Sequence, residues 1–307
     1  VMIAMTGIAA QAQISELVSQ GRNTQLLIGG KPYIILGGEL ANSSASSGRY
    51  MDSRNTWEYL KDSGLNTVLA PVYWELIEPQ EGRYDFSSVD YLLKSARAND
   101  LKLVLLWFGT WKNSMSCYVP SWVKRGFGEE FDLARNSDGN TPEIMTAFSE
   151  SNVRADSKAF ATLMRYLKKA DGAEGTVIMV QVENEIGMLG DARDHSRLAQ
   201  NAYESPVPYE VIYMLESGKA NDYIYNIWKS AGGKKEGSWK EIFGEGLESD
   251  EIFMAYWYAR YTERVAFAGK EEYDIPMFVN TALNSRGRKA GDYPSAGPLA
   301  HLMPIWK

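Results

Sequence analysis

Two carboxylates flank an amide at Glu183-Asn184-Glu185, directly after the apolar run Val177-Ile178-Met179-Val180-Gln181-Val182. A run rich in Val and Ile reads as a strand buried on both faces. Charges at the end of such a strand are costly unless a site needs them. In a barrel of parallel strands the chemistry sits at the C-terminal strand ends. Three other segments end in polar or aromatic groups: Glu39 after Gly37-Gly38, Trp74-Glu75 and Glu78-Pro79 after Val72-Tyr73, and Trp111-Lys112-Asn113 after Trp107. Carboxylates and indoles gathered at one barrel mouth suit glycoside hydrolysis. One carboxylic acid protonates the leaving oxygen, and a second attacks the anomeric carbon or activates water.

The elements that must hold these residues alternate. Strands are expected near 26–28, 33–36, 66–72, 102–107, 176–182 and 276–280. Helices are expected over 54–63, 87–98 and 156–169, with helical patterns across 209–270. Alternation of this kind gives a parallel sheet. No Gly-x-Gly-x-x-Gly follows a strand and no phosphate-binding loop motif occurs, so nucleotide folds lose their best signal. The expected fold class is α/β, a (β/α)₈ TIM barrel. About five barrel strands are legible, and a sixth would lie near or beyond Leu302–Lys307, so the barrel reads as truncated before its last strands. The long connection from Phe108 to Glu150 reads as a functional loop.

Composition narrows the partners. Thirty-nine acidic residues against 32 Lys and Arg give a net charge of −7, without a basic block, which argues against nucleic acid. The two histidines, His195 and His301, exclude a His-rich metal site but not a carboxylate-bound Ca²⁺; no cofactor is expected and no metal ligand is singled out. Cys117, the one cysteine, leaves no intrachain disulfide and reads as a buried small hydrophobe. Residues 1–12, ending Ala10-Gln11-Ala12, read as the remnant of a secretory signal peptide, which predicts a periplasmic or secreted protein of bacterial type. Residues 13–307 are then one partial catalytic barrel. No other stretch is long enough to span a bilayer.

The segment Gln181-Val182-Glu183-Asn184-Glu185 resembles the acid/base segment of glycoside hydrolase family 35, mainly β-galactosidases. Gly29-Gly30-Lys31-Pro32 with Gly37-Gly38-Glu39-Leu40 is similar to that family's first strand. Trp74-x-x-x-Glu78-Pro79-x-x-Gly82-x-Tyr84-Asp85-Phe86 resembles its second-strand loop, and also that of family 42. Pro120-Ser121-Trp122 matches the Pro-x-Trp after the third strand. The resemblance covers roughly Leu26 to Ile186.

The resemblance implies a retaining exo-glycosidase acting on terminal β-galactosides, with a carbohydrate as partner. Glu185 would be the catalytic acid/base. Asn184, Glu39, Trp74, Asn113 and Glu183 would bind substrate, Asn184 through the sugar's 2-hydroxyl. Two of these have plainer readings: Glu183 as a supporting partner of the site, and Trp74 as packing under its loop. Glu78 would fix the turn before Pro79. The nucleophile, a Glu at the end of a seventh strand, would lie beyond Lys307, and the 307 residues alone would be inactive.

Ala41-Asn42-Ser43-Ser44 replaces the family's usual His-Tyr pair, and Thr110 stands where a sugar-binding Glu usually precedes the Trp; Asn113 is the candidate substitute. These departures loosen galactose specificity. A family 42-like enzyme, a β-glucanase-type hydrolase and a non-catalytic glycan-binding barrel are the alternatives.

Overall fold

A computed structural model describes residues 14–283 and 287–305. The segment read as a signal-peptide remnant lies outside these residues. Three N-terminal strands, β1 (Ser15–Gln20), β2 (Asn23–Ile28) and β3 (Lys31–Pro32), form a small antiparallel sheet. The expected turn at Gly29-Gly30 joins β2 to β3. Residues 33–36, expected as strand, carry no strand pairing and lead straight into the main sheet.

That sheet has five strands in sequential order: β4 (Gly37–Glu39), β5 (Thr67–Tyr73), β6 (Lys102–Lys112), β7 (Val177–Asn184) and β8 (Met277–Asn280). Every pairing is parallel. Parallel neighbours need crossovers, and helices supply them. Helix Ser87–Ala98 links β5 to β6, and helix Glu150–Asp171 links β6 to β7. The 26-residue helix Leu247–Glu272 precedes β8 and packs along Glu150–Asp171.

Buried strands read as continuous apolar runs, and β5, β6 and β7 do so. The edge strands β4 and β8 are partly exposed. This is five strands' worth of a (β/α)₈ barrel, open between β4 and β8, as the truncated-barrel reading required. After β8 the described chain forms only the short helix Gly297–Ala300 and turns, with no further strand among the described residues. Parallel direction places Glu39, Tyr73, Lys112, Asn184 and Asn280 at one end of the sheet.

Candidate active site

The mouth is built where β6 and β7 lose register. Trp107 pairs with Val182, and the next pair is Lys112 with Asn184. Phe108, Gly109, Thr110 and Trp111 therefore oppose Glu183 alone. Extra residues in a strand bend it and leave amides without ladder partners. Here the Glu183 side chain takes them. Thr110 N–H donates to Glu183 Oε1 at 3.2 Å and Trp111 N–H to Oε2 at 2.7 Å.

Beneath this bulge lies Asp156, on helix Glu150–Asp171. It accepts from Trp107 Nε1 (2.9 Å), Thr110 Oγ1 (2.7 Å) and Thr110 N–H (3.3 Å). Tyr261, from helix Leu247–Glu272, exchanges a hydrogen bond with Thr110 Oγ1 at 2.8 Å and donates to Asp156 Oδ2 at 3.4 Å. Asp156 is fully buried and Glu183 is 1% exposed. Burial pushes the Glu183 carboxyl well above the usual carboxylate range, and the Asp156 charge pushes it further. Glu183 is thus an interior support, not a residue lining the mouth. Thr110 likewise faces this buried pair.

The chain emerges from the bulge at Lys112-Asn113, with Asn113 in left-handed backbone (φ 52°). Asn113 Oδ1 accepts from Lys112 Nζ at 2.5 Å and from Asn184 Nδ2 at 3.3 Å. Asn184 Oδ1 accepts from Gln181 Nε2 and Asn280 Nδ2, both at 3.0 Å. One amide chain therefore crosses the rims of β6, β7 and β8. Glu185 follows in left-handed backbone (φ 48°), half-buried. Its N–H donates to Asn280 O at 2.9 Å, and its carbonyl accepts from Ser114 Oγ at 2.7 Å. Burial pulls the Lys112 ammonium below its ordinary pKa, and the negative charges of Glu185 and Glu39 oppose that. Glu185, Lys112 and Glu39 thus share one electrostatic neighbourhood, with Glu39 exposed at the end of β4.

Trp74 is elsewhere. It is fully buried, packs edge-on to Trp122 (ring centres 6.2 Å apart) and donates from Nε1 to Glu78 Oε2 at 3.0 Å. Its indole packs under its loop, and the expectation of a sugar contact does not fit that position. Glu78 also accepts from Gly82 N–H at 2.8 Å, so it fixes its turn as expected. Cys117, expected to be buried, is exposed, because its connection runs over the surface. That connection is tied down by Asp194, which accepts from Arg135 N–H (2.9 Å), Thr146 Oγ1 and Ser196 N–H (2.7 Å).

The structure places Glu39, Asn113, Asn184 and Glu185, which sequence reasoning grouped, at one end of the sheet. That reasoning missed Lys112, Asn280, Asp156 and Tyr261. Asn280 was signalled by its place at the end of the expected strand 276–280, and Lys112 only by lying in the polar and aromatic segment after Trp107. Asp156 was signalled only as an acidic residue on the apolar face of its helix, and Tyr261 by nothing in the local pattern. Among the described residues no group of three or more His, Cys, Asp or Glu side chains could hold a metal ion. None of their helices is long and apolar enough to cross a membrane.

Parallel strands carrying carboxylates, amides and a lysine at their C-terminal ends define the active-site face of a β/α-barrel enzyme. The chain belongs to the glycosyl hydrolases family 35, whose model matches residues 25–226. A beta-galactosidase from Xanthomonas manihotis is 32% identical over 189 residues, covering 59% of this chain and 28% of that protein. A beta-1,2-glucosyltransferase from Ignavibacterium album is 22% identical over 224 residues, covering 67% of this chain and 30% of that protein. The chain therefore spans under a third of either relative. Two solved structures share the fold. The beta-galactosidase from Bacillus circulans sp. alkalophilus has TM-score 0.53 at 14% identity, covering 80% of this chain and 36% of that one. A catalytic mutant of Gan42B, a GH42 beta-galactosidase from G. stearothermophilus, has TM-score 0.54 at 17% identity, covering 82% of this chain and 36% of that one.

Proposed function

We propose that this chain is the acid/base half of a retaining exo-glycosidase that removes terminal β-galactosyl groups from oligo- or polysaccharides. The observation that carries the reading is Glu185, half-buried at the C-terminal end of β7 beside the Lys112–Asn113–Asn184–Asn280 rim. In this role Glu185 donates a proton to the glycosidic oxygen, then activates the water that releases the sugar. Asn184 binds the 2-hydroxyl, and Glu39 and Asn113 bind other hydroxyls. The nucleophilic carboxylate is supplied from outside these 307 residues, which alone do not turn over. Residues 1–12 support export to the periplasm or beyond.

The beta-1,2-glucosyltransferase relative supports a second reading, because a sugar acceptor in place of water turns the same double displacement into transfer. The test is the full-length enzyme assayed on aryl β-galactosides and β-glucosides, with and without sugar acceptors. Hydrolysis of galactosides supports the first reading, and acceptor-dependent product the second. Glu185→Gln is expected to cut the rate at least ~10²-fold on poor leaving groups and less on good ones. Equal rates for the variant and the parent would remove Glu185 from the mechanism.

A further inference from the structure

The Asp156–Glu183 pair is buried away from the open mouth, yet it sits at the break in the β6–β7 ladder between Trp107 and Lys112. Both carboxyls converge on a single donor, the Thr110 N–H, at 3.3 and 3.2 Å. The groups facing them are Trp107 Nε1, Thr110 and Trp111 from β6, and Tyr261 from helix Leu247–Glu272. No Lys, Arg or His side chain is hydrogen-bonded or ion-paired to either carboxyl among the described residues. Two buried carboxylates this close, without a cation, do not both ionise.

The donors show where the proton goes. Asp156 receives four hydrogen bonds, from Trp107 Nε1 to Oδ1 and from the Thr110 hydroxyl, the Thr110 amide and the Tyr261 hydroxyl to Oδ2, so both of its oxygens act as acceptors. Glu183 accepts only two: Trp111 N–H at 2.7 Å on Oε2, and on Oε1 the longer 3.2 Å bond from the Thr110 N–H that it shares with Asp156, so Oε1 is the oxygen with capacity for a proton. A proton on Glu183 Oε1 completes the set by donating to Asp156. We propose that Asp156 and Glu183 share one proton, held on Glu183, and act as a positioning pair that shapes the β6 bulge and so sets Lys112 and Asn113 against Glu185. The link is mechanical. The pair holds the Thr110 and Trp111 amides. Those residues deliver Lys112, whose backbone pairs with Asn184 and whose side chain meets Asn113. Close approach is built in as well: a Cβ on Gly109 would stand 2.5 Å from Glu183 Oε1 and 2.8 Å from Asp156 Oδ1.

The role in catalysis rests on the glycosidase reading; the shared proton does not. The first arm measures net charge by capillary electrophoresis near neutral pH. Glu183→Gln is expected to leave it unchanged, because Gln replaces a carboxyl that is already neutral. Glu81→Gln, on the surface, is expected to remove one negative charge. Loss of a full charge in Glu183→Gln would overturn the proposal. Should that variant not fold, the parent's infrared spectrum decides. A protonated-carboxyl band at neutral pH upholds the pair, and its absence sinks it.

The second arm is kinetic, on the full-length enzyme. Asp156→Asn places a donor against donors, and is expected to lower kcat on the order of 10- to 100-fold with KM held. Glu183→Gln keeps a donor toward Asp156 and an acceptor for Trp111, so it stays closer to the parent. The reverse order would refute the assignment of the proton. If the enzyme cleaves no glycoside at all, the functional reading fails, and the charge arm still decides the pair.

Discussion

Glu183 and Glu185 stand two residues apart at the end of one strand, yet their carboxylates occupy different environments. Glu183 is buried against β6, and Glu185 is half-exposed near Lys112. Residues two apart in an extended strand share a face. Left-handed backbone at both residues, φ 60° and 48°, breaks that rule. Such conformations cost of order 1–3 kcal/mol each in a non-glycine residue and persist where surrounding contacts fix them. Here those contacts are the Trp111 amide on Glu183 and the Asn280 carbonyl and Ser114 hydroxyl on Glu185.

Gly109 has no room for a side chain. An added Cβ would stand 2.3 Å from Trp107 Nε1 and 2.5 Å from Glu183 Oε1, closer than real contacts allow. Both neighbours are buried and hydrogen-bonded, so neither can yield freely. Gly109→Ala is expected to destabilise the protein by about 1–3 kcal/mol. Urea unfolding at fixed pH reads this directly, and an unchanged midpoint would show that the bulge yields at low cost.

The raised pKa of Glu183 fixes the sign of a pH effect. The folded state holds a proton that the unfolded chain releases near the ordinary glutamate value of about 4.3. Above that value, up to the folded pKa, the unfolded state binds fewer protons, so stability falls as pH rises. The contribution is complete below about pH 4.3 and is lost progressively toward the folded pKa. Glu183→Gln removes this dependence. Other carboxylates titrate in both proteins, so the measurement is the difference between the two stability curves, expected to narrow toward high pH. A constant difference would contradict the assignment.

Much of this architecture was legible because its signals are local. The apolar runs 102–107 and 176–182 are fully buried parallel strands, and such strands announce themselves by composition. The place of Glu185 was legible because the apolar run stops just before it. The continuation of β6 to Lys112 was not legible. Gly109 and Thr110 read as loop residues, and only a partner carboxylate from β7 makes them strand. The Asp156 and Tyr261 contacts join residues 105 positions apart, a juxtaposition no periodicity encodes. Trp74 could have faced a sugar or the core on sequence alone. The hydrogen bond to Glu78, four residues on, decides for the core.

That decision carries its own test. Trp74→Phe keeps an aromatic ring but removes the Nε1 donor from Glu78, a carboxylate only 2% exposed. Leaving such a group short of a partner costs about 1–3 kcal/mol. Thermal unfolding should show that loss, with KM for glycosides held near the parent value. A raised KM with unchanged stability would mean that the indole meets the sugar after all.

Asn184 presents the opposite balance. Its amide joins three strand rims, accepting from Gln181 and Asn280 and donating to Asn113, yet it sits at the mouth beside Glu185. Truncation to Ala removes both a structural link and the proposed contact with the 2-hydroxyl. The two losses separate by changing the substrate. With an ordinary β-galactoside, Asn184→Ala is expected to lower kcat/KM about tenfold or more, the value of one good hydrogen bond to a developing charge. With the 2-deoxy substrate the contact is already gone, so only the structural part of the loss remains. The ratio of the two effects is the coupling between Asn184 and the hydroxyl. A contact that tightens in the transition state places that coupling in kcat rather than KM. Equal losses on both substrates would reduce Asn184 to a link between strands.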